Sequence, residues 1–303
     1  MKILEDMSGN KIYFVESTKD WETVPEDVID LNIGKKVSLS KDFFDKFFPL
    51  LKSITVEDGN VKLSSSNGVL YDYYKNKIYL YPPQKKDKTF IIPEGVKDIY
   101  RDCFRENSYL TQVTLPKSLS YVGYYAFKGV NLLRVNISDL NSFCQISFST
   151  SMFNKNTLLY VDGKKVNDEL VIEDVNYIKP HTFDNLQLDE VTLKDVHIIG
   201  DEAFYNCGIR YLYVESKELR ILKNAFFKNP LMQFYSYVED FAFANSFDKL
   251  EIFSLPKESL IQVGEIENFK CRLFVRRNQA LDRDVYSLPE VNKDILMEIY
   301  GKG

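Results

Sequence analysis

Histidine and cysteine are few in this 303-residue chain, and they are scattered. His181 and His197 are its two histidines; Cys103, Cys144, Cys207 and Cys271 are its four cysteines. A thiol nucleophile needs a base within hydrogen-bond reach and a third group to orient that base. Neither histidine lies in a pattern that pairs it with Cys144 or Cys207, so a Cys-His catalytic pair is not expected. The cysteines form no C-x-x-C pair of the zinc or redox kind and read as reduced packing residues. Neither the P-loop nor the dinucleotide glycine pattern occurs. The acid pairs Glu169/Glu190 and Glu173/Glu215 would approach one another across adjacent strands, yet calcium requires roughly six to eight converging oxygens. They read as solvated surface charges. The expectation is a chain that is not an enzyme, with no cofactor and no metal.

Contact chemistry is better represented. The chain has 20 tyrosines and 22 phenylalanines against a single tryptophan. When its repeated units are aligned, the outward strand positions begin polar, with Asn32, Thr55, Thr114, Asn136, Glu169, Glu190 and Thr192. They then change to Tyr211, Tyr213, Tyr235, Tyr237, Ile252 and Phe274, bordered by Arg272 and Arg276. Such a row is either a set of cross-strand aromatic pairs that suits a sheet or a recognition patch, since aromatics give large contact area at low entropic cost.

The elements that must position this row come from a repeat. In Leu110–Phe127, Val113 and Leu115 alternate inward, Pro116 stops the ladder, and Leu119, Val122, Ala126 and Phe127 complete the turn. Phe90, Val96, Ile99, Cys103 and Phe104 repeat it upstream; Val191, Leu193, Val196, Ile199, Ala203 and Phe204 repeat it downstream. Indexed by the first inward strand residue, the units begin at Leu31, Ile54, Phe90, Val113, Val135, Leu170, Val191, Leu212, Phe234, Phe253 and Leu273. Their spacing is 19–23 residues except for two intervals of 36 and 35. A fixed period of this kind marks a solenoid, whose turns cannot bury their own apolar residues and must stack. Cys103 stands where Ala126 and Ala203 stand, so a small buried side chain is expected, with Phe104, Phe127, Phe183, Phe204 and Phe226 forming an internal column.

The two long intervals predict hairpins inserted at an edge: Val69–Tyr71 with Ile78–Tyr81 in one, and Leu158–Val161 with Lys164–Val166 across Asp162-Gly163 in the other. The domain reading is a cap over residues 1–29, a solenoid of about eleven turns over 30–277 with inserts near 57–87 and 138–168, and a C-terminal cap over 278–303. Ile3, Leu4, Ile12 and Phe14 around Ser8-Gly9-Asn10 predict a hairpin in the first cap. Phe43, Phe44, Phe47 and Phe48 predict a short helix. Ser287–Glu290 resembles a capping box, predicting a closing helix with Leu288, Val291, Ile295 and Ile299 on one face and Gly301 beyond it.

A net charge of -5 argues against a nucleic-acid partner, and no run of about eighteen apolar residues suggests a membrane span. The first ten residues contain no hydrophobic signal core. With four unpaired cysteines, the expected location is cytoplasmic; a surface or secreted protein whose leader had been removed is the alternative.

Phe90-Ile-Ile-Pro-Glu-Gly-Val-Lys-Asp-Ile99 and Leu110–Phe127 resemble the bacterial BspA-type leucine-rich repeat, and Gly200-Asp-Glu-Ala-Phe-Tyr-Asn-Cys207 looks like that family's closing motif. Gly68–Tyr71 before Tyr79–Pro82 resembles its inserted hairpin. The resemblance runs from about Asp30 to Arg277. It implies an α/β solenoid, a right-handed leucine-rich-repeat horseshoe with a concave parallel β-sheet, two inserted edge hairpins and little helix. It also implies a non-enzymatic module, commonly an adhesin or receptor-like protein of bacterial surfaces, with no catalytic residues. Joined to the aromatic row, this gives a protein-recognition module binding a macromolecular partner through the concave sheet, with carbohydrate binding or adhesion as the alternative.

Overall fold

The computed structural model describes residues 1–5, 11–230, 232–236, 238, 240–243, 247, 250–256, 260–263, 270–276 and 285–292; beyond position 238 side chains are described only at Ala242, Phe243 and Phe247. The chain forms two compact units, Met1–Leu133 and Arg134–Gly303, dividing inside the stretch read from sequence as one array. Both are stacks of short parallel strands, and among the described residues the α-helices are Lys41–Asp45 and Leu140–Cys144.

In the first unit, Lys2–Glu5 and Lys11–Val15 form the expected hairpin, with Ile3 opposite Tyr13. Lys11–Val15 is also the first turn of the stack, because it runs parallel to Asp30–Ile33 with Tyr13 opposite Leu31. Leu31 in turn lies opposite Ile54 of Ser53–Val56. Trp21 is fully buried beside this sheet. Its Nε1 donates to the Ser38 carbonyl at 2.8 Å, and its ring meets Phe43 of the short helix edge-on at 4.8 Å. The tight path that follows is held by Lys46, whose Nζ donates to the carbonyls of Trp21, Glu22 and Val24 at 2.6, 2.9 and 2.7 Å.

The inserts differ from the expectation of hairpins that merely project. The first has three antiparallel strands, Leu63–Ser66, Val69–Asp72 and Lys77–Leu80. Its last strand continues as a parallel neighbour of Asp98–Ile99, with Ile78 opposite Ile99. Ile99 then lies opposite Val122. The additional strand is turned by Asn67-Gly68, both at positive φ, which is the signal for a two-residue hairpin turn. In the second insert, Leu158–Val161 does pair with Lys164–Lys165 across Asp162-Gly163. Yet Leu159 is fully buried and sits opposite Val135 in a parallel pair. The long interval therefore hides a full turn at Leu159, whose alternating pattern serves equally for a hairpin or a repeat strand.

In the second unit, Glu169–Glu173, Glu190–Lys194, Tyr211–Glu215, Met232–Ser236, Leu250–Pro256 and Lys270–Arg276 form one parallel sheet. Leu170, Val191, Leu212, Phe234, Phe253 and Leu273 occupy successive register positions, as their spacing predicts. A second parallel sheet follows the order Tyr177–Ile178, Ile198–Ile199, Glu218–Ile221, Asp240–Phe243, Leu260–Val263. Phe241-Ala-Phe243 belongs to this second sheet, which explains its early position in the repeat. The stretch from Ser287 is not a helix as far as it is described. Val285–Asn292 is a strand antiparallel to Lys270–Arg276. It covers the edge that the last parallel strand would otherwise leave unpaired, and an outermost strand tolerates Pro289. Residues 293–303, including Ile295, Ile299 and Gly301, lie outside the described residues.

The phenylalanine column is present in each unit. Phe104 and Phe127 stack at 4.7 Å and 5°; Phe183, Phe204, Phe226 and Phe247 stack at 5.0, 5.1 and 5.3 Å. Phe143 abuts that second column tilted by 56° rather than stacked. Close approach between turns also fixes two glycines. A Cβ on Gly123 would lie 2.6 Å from the Arg101 nitrogen, and one on Gly200 would lie 2.7 Å from the Pro180 nitrogen.

Buried asparagines, which the sequence reading missed, close the turns. Asn107 Nδ2 donates to the Pro82 and Lys85 carbonyls, while its Oδ1 accepts from the Tyr109 and Leu110 amides. Asn229 does the same with the Phe204 and Phe226 carbonyls and the Ile209 amide. The signal was Phe-x-x-Asn, at Phe104–Asn107 and Phe226–Asn229. Two outcomes follow for equilibrium denaturation. Phe204→Ala, which removes a ring stacked on both sides, should cost about 3–5 kcal/mol. Asn107→Ala, which strands several buried backbone groups, should cost about 3 kcal/mol or more; a loss under about 1 kcal/mol in either would contradict these packing roles.

Candidate functional site

The aromatic row lies on the large sheet of the second unit, where neighbouring parallel strands place outward residues side by side. Its register gives two rows. One runs Glu190, Tyr211, Gln233, Ile252, Arg272; the other runs Thr192, Tyr213, Tyr235, Ser254, Phe274. Tyr213 and Tyr235 stack at 5.3 Å with their rings 12° apart. Both are half-buried, as is Tyr211. Tyr211 stands opposite Gln233 rather than another aromatic, and Ser254 interrupts the second row. Ile252, Arg272, Phe274 and Arg276 occupy described strand positions without described side chains, and Tyr237 lies outside the described residues.

Polar contacts fix the edges of this surface. The Tyr235 hydroxyl donates to Gln233 Oε1 at 2.8 Å. Arg210 grips Asp189 through Nε and Nη2, both at 2.6 Å, which raises the guanidinium pKa and lowers that of the carboxylate. Burial first, then Glu190 and the Tyr235 and Tyr211 phenols, raise the pKa of the Tyr213 hydroxyl above its ordinary value. The acid pairs divide. Glu169 and Glu190 are opposite one another, whereas Lys194 stands between Glu173 and Glu215 and bonds Glu173 at 2.8 Å.

A second surface feature, in the first unit, was not foreseen. Phe44, Phe47, Tyr79 and Tyr100 line a cleft of about 100 Å³ together with Arg101 and Arg105. The Arg105 guanidinium lies 4.6 Å over the Phe47 ring, and its buried Nε has no hydrogen-bond acceptor. Arg101 Nη2 donates to the Phe44 carbonyl at 3.3 Å and lies 4.0 Å from Asp45. The cleft unites residues about fifty positions apart, which no local spacing could reveal. Tyr73 and Tyr74, at the hairpin turn of the same unit, are more exposed than the tyrosines of the sheet.

Among the described residues the cysteines are packed away from both histidines' polar contacts. Cys103, Cys144 and Cys207 are free and buried, and burial pushes all three thiol pKa values up. Cys207 takes the position of Asn107 and Asn229 in its own turn, and its Sγ donates to the Phe183 carbonyl at 3.0 Å. His181 instead faces carboxylates, with Nδ1 at 3.3 Å from Asp184 and 3.6 Å from Glu202. The hydrogen bond to Asp184 raises its pKa, and burial raises that of Asp184.

A profile of the BspA-type leucine-rich repeat region matches residues 84–170 and 164–273, with six copies. The chain belongs to the BspA-type leucine-rich repeat family. No protein of curated function matches it. Among solved structures, a leucine-rich repeat protein of Eubacterium ventriosum is 24% identical over 60% of this chain and 53% of its own, with a TM-score of 0.42. The pneumococcal vaccine antigen PcpA is 19% identical over 79% of this chain and 49% of its own, at 0.33. A leucine-rich cell surface protein of Faecalibacterium prausnitzii is 16% identical over 85% and 87%, at 0.41. This chain thus spans about half the length of the first two. Among the described residues no helix is long and apolar enough to cross a membrane.

For this leucine-rich repeat chain, burial of the thiols has a direct readout. In native protein Cys103, Cys144 and Cys207 should not react with a thiol reagent on the timescale of minutes, and in denaturant they should titrate fully. Rapid labelling of any of them in the native state, located by peptide mapping, would contradict their placement.

Proposed function

We propose that this leucine-rich repeat chain is a non-enzymatic recognition module that binds a protein partner through the outer face of its large sheet. The observation that carries the reading is the stacked Tyr213–Tyr235 pair, half-buried on strands whose backbone is held on both sides. A rigid aromatic pair gives up little conformational entropy on binding, and aromatics dominate the energetics of interfaces. The face extends over several strands about 4.8 Å apart, a breadth suited to a protein rather than to a small molecule held in a pocket. Tyr211, Tyr237, Ile252 and Phe274 would extend the contact, with Arg272 and Arg276 at its border.

Carbohydrate binding is the second reading, favoured by the aromatic cleft with Arg101 and Arg105, whose ring faces suit a sugar. We further propose a reducing, cytoplasmic setting, which the three buried free thiols support. Fewer than four titratable thiols in protein denatured without reductant straight from its source cells would overturn that setting.

The functional test compares wild type with a Tyr213→Ala/Tyr235→Ala double variant, in affinity capture from native lysate and on a glycan array. The double variant should lose a specific protein partner, with affinity reduced at least about tenfold and an unchanged circular dichroism spectrum. Equal partner capture by both proteins would refute the sheet face and direct attention to Tyr73 and Tyr74. Glycan binding lost on Arg105→Ala, with no protein partner captured, would favour the second reading.

A further inference from the structure

His181, Asp184 and Glu202 stand apart from the sheet face. His181 and Glu202 occupy equivalent places in successive turns, each two residues before a column phenylalanine, Phe183 and Phe204. Both adopt left-handed backbone conformations, at φ 59° and 55°. The turns are tied together by main-chain bonds from His181 N to Asp201 O, Phe183 N to Ala203 O and Asn185 N to Tyr205 O. The side chains are therefore brought together by the register of the solenoid rather than by the placement of a mobile loop.

One nitrogen and two carboxylate oxygens of this group lie within 4.8 Å of one another. His181 Nδ1 is 3.3 Å from Asp184 Oδ2 and 3.6 Å from Glu202 Oε2. Two ligands about 2.0–2.1 Å from a tetrahedral ion sit roughly 3.3–3.5 Å apart, so these separations fit an ion with little movement of His181 or Asp184. Glu202, whose side chain is 35% exposed, has freedom to close the remaining gap. The Asp184 side chain is only 8% exposed, and its other oxygen is fixed by the Asn185 amide at 2.7 Å. That is the outer support a metal-binding carboxylate commonly has.

Charge provides an independent pointer. Asp184 and Glu202 are joined by no lysine or arginine among the described residues, and Asp201 adds its field to the same histidine. Two or three carboxylates thus converge on one imidazole, a net negative site with a largely buried member. Protonated His181 offsets part of this charge, and a bound cation in its place would offset more. We propose that His181, Asp184 and Glu202 form a binding site for a divalent transition-metal ion, Zn²⁺ in preference to Mg²⁺ or Ca²⁺. The imidazole selects against the hard ions, which require a larger set of oxygen ligands. Three protein ligands leave a fourth position, which water or a partner's side chain would fill. Such an ion would clamp two turns of the second unit.

The test is isothermal titration of untagged, chelator-treated full chain with ZnCl₂, alongside MgCl₂ and CaCl₂. Wild type should bind Zn²⁺ at one saturable site and show no comparable binding of the other two ions. His181→Gln and Glu202→Gln should each weaken binding at least about tenfold; both change partly buried groups, and circular dichroism checks that the fold is kept. Co²⁺ offers a second readout, as visible bands of a tetrahedral site that disappear in His181→Gln. Absence of saturable Zn²⁺ binding would overturn the proposal, as would equal binding by both folded variants, which would assign the ion to another place.

Discussion

The structure depends on one main-chain arrangement, the hydrogen-bonded register between return segments of neighbouring turns. In the first unit the amides of Asp102, Phe104 and Glu106 donate to the carbonyls of Tyr124, Ala126 and Lys128. In the second, Glu202, Phe204 and Asn206 donate in the same way to Lys223, Ala225 and Phe227. Three donors per turn can align only if the residues flanking the phenylalanine reverse their backbone. Asp102, Glu106, Glu202 and Asn206 accordingly have positive φ. A non-glycine residue pays about 1–2 kcal/mol for that conformation. Satisfied backbone bonds and a buried, stacked ring offset the cost, which ties the local strain to the presence of a neighbouring turn.

That register determines where side chains can do something. On the large sheet it sets Tyr213 beside Tyr235, and at the return segment it sets His181 beside Glu202. Both are meetings between equivalent positions of successive turns. Their environments differ in kind: the tyrosines share a half-buried apolar contact, whereas the histidine gathers carboxylates against a largely buried Asp184. The buried asparagines and Cys207 play a third part, satisfying carbonyls that the turns would otherwise bury unpaired.

Much of this was legible in the amino-acid order. Spacing of inward residues gave the correct register from Leu170 to Leu273, and the small residue before each column phenylalanine announced the close return. Two places misled. Leu159 carried the alternation of a hairpin and of a repeat strand at once. Ser287–Glu290 carried a helix-start pattern in a stretch that pairs as a strand.

The sequence by itself determined the family, the parallel stack and the face on which each strand residue lies, because alternation within a strand and a repeated period are local properties. Only the tertiary structure decided that the inserts are woven into the sheets and that Arg105 meets Phe47 across a cleft. Each of these depends on which turn lies next to which, and a strand with satisfactory alternation can pair with more than one neighbour until backbone hydrogen bonding and burial select among them.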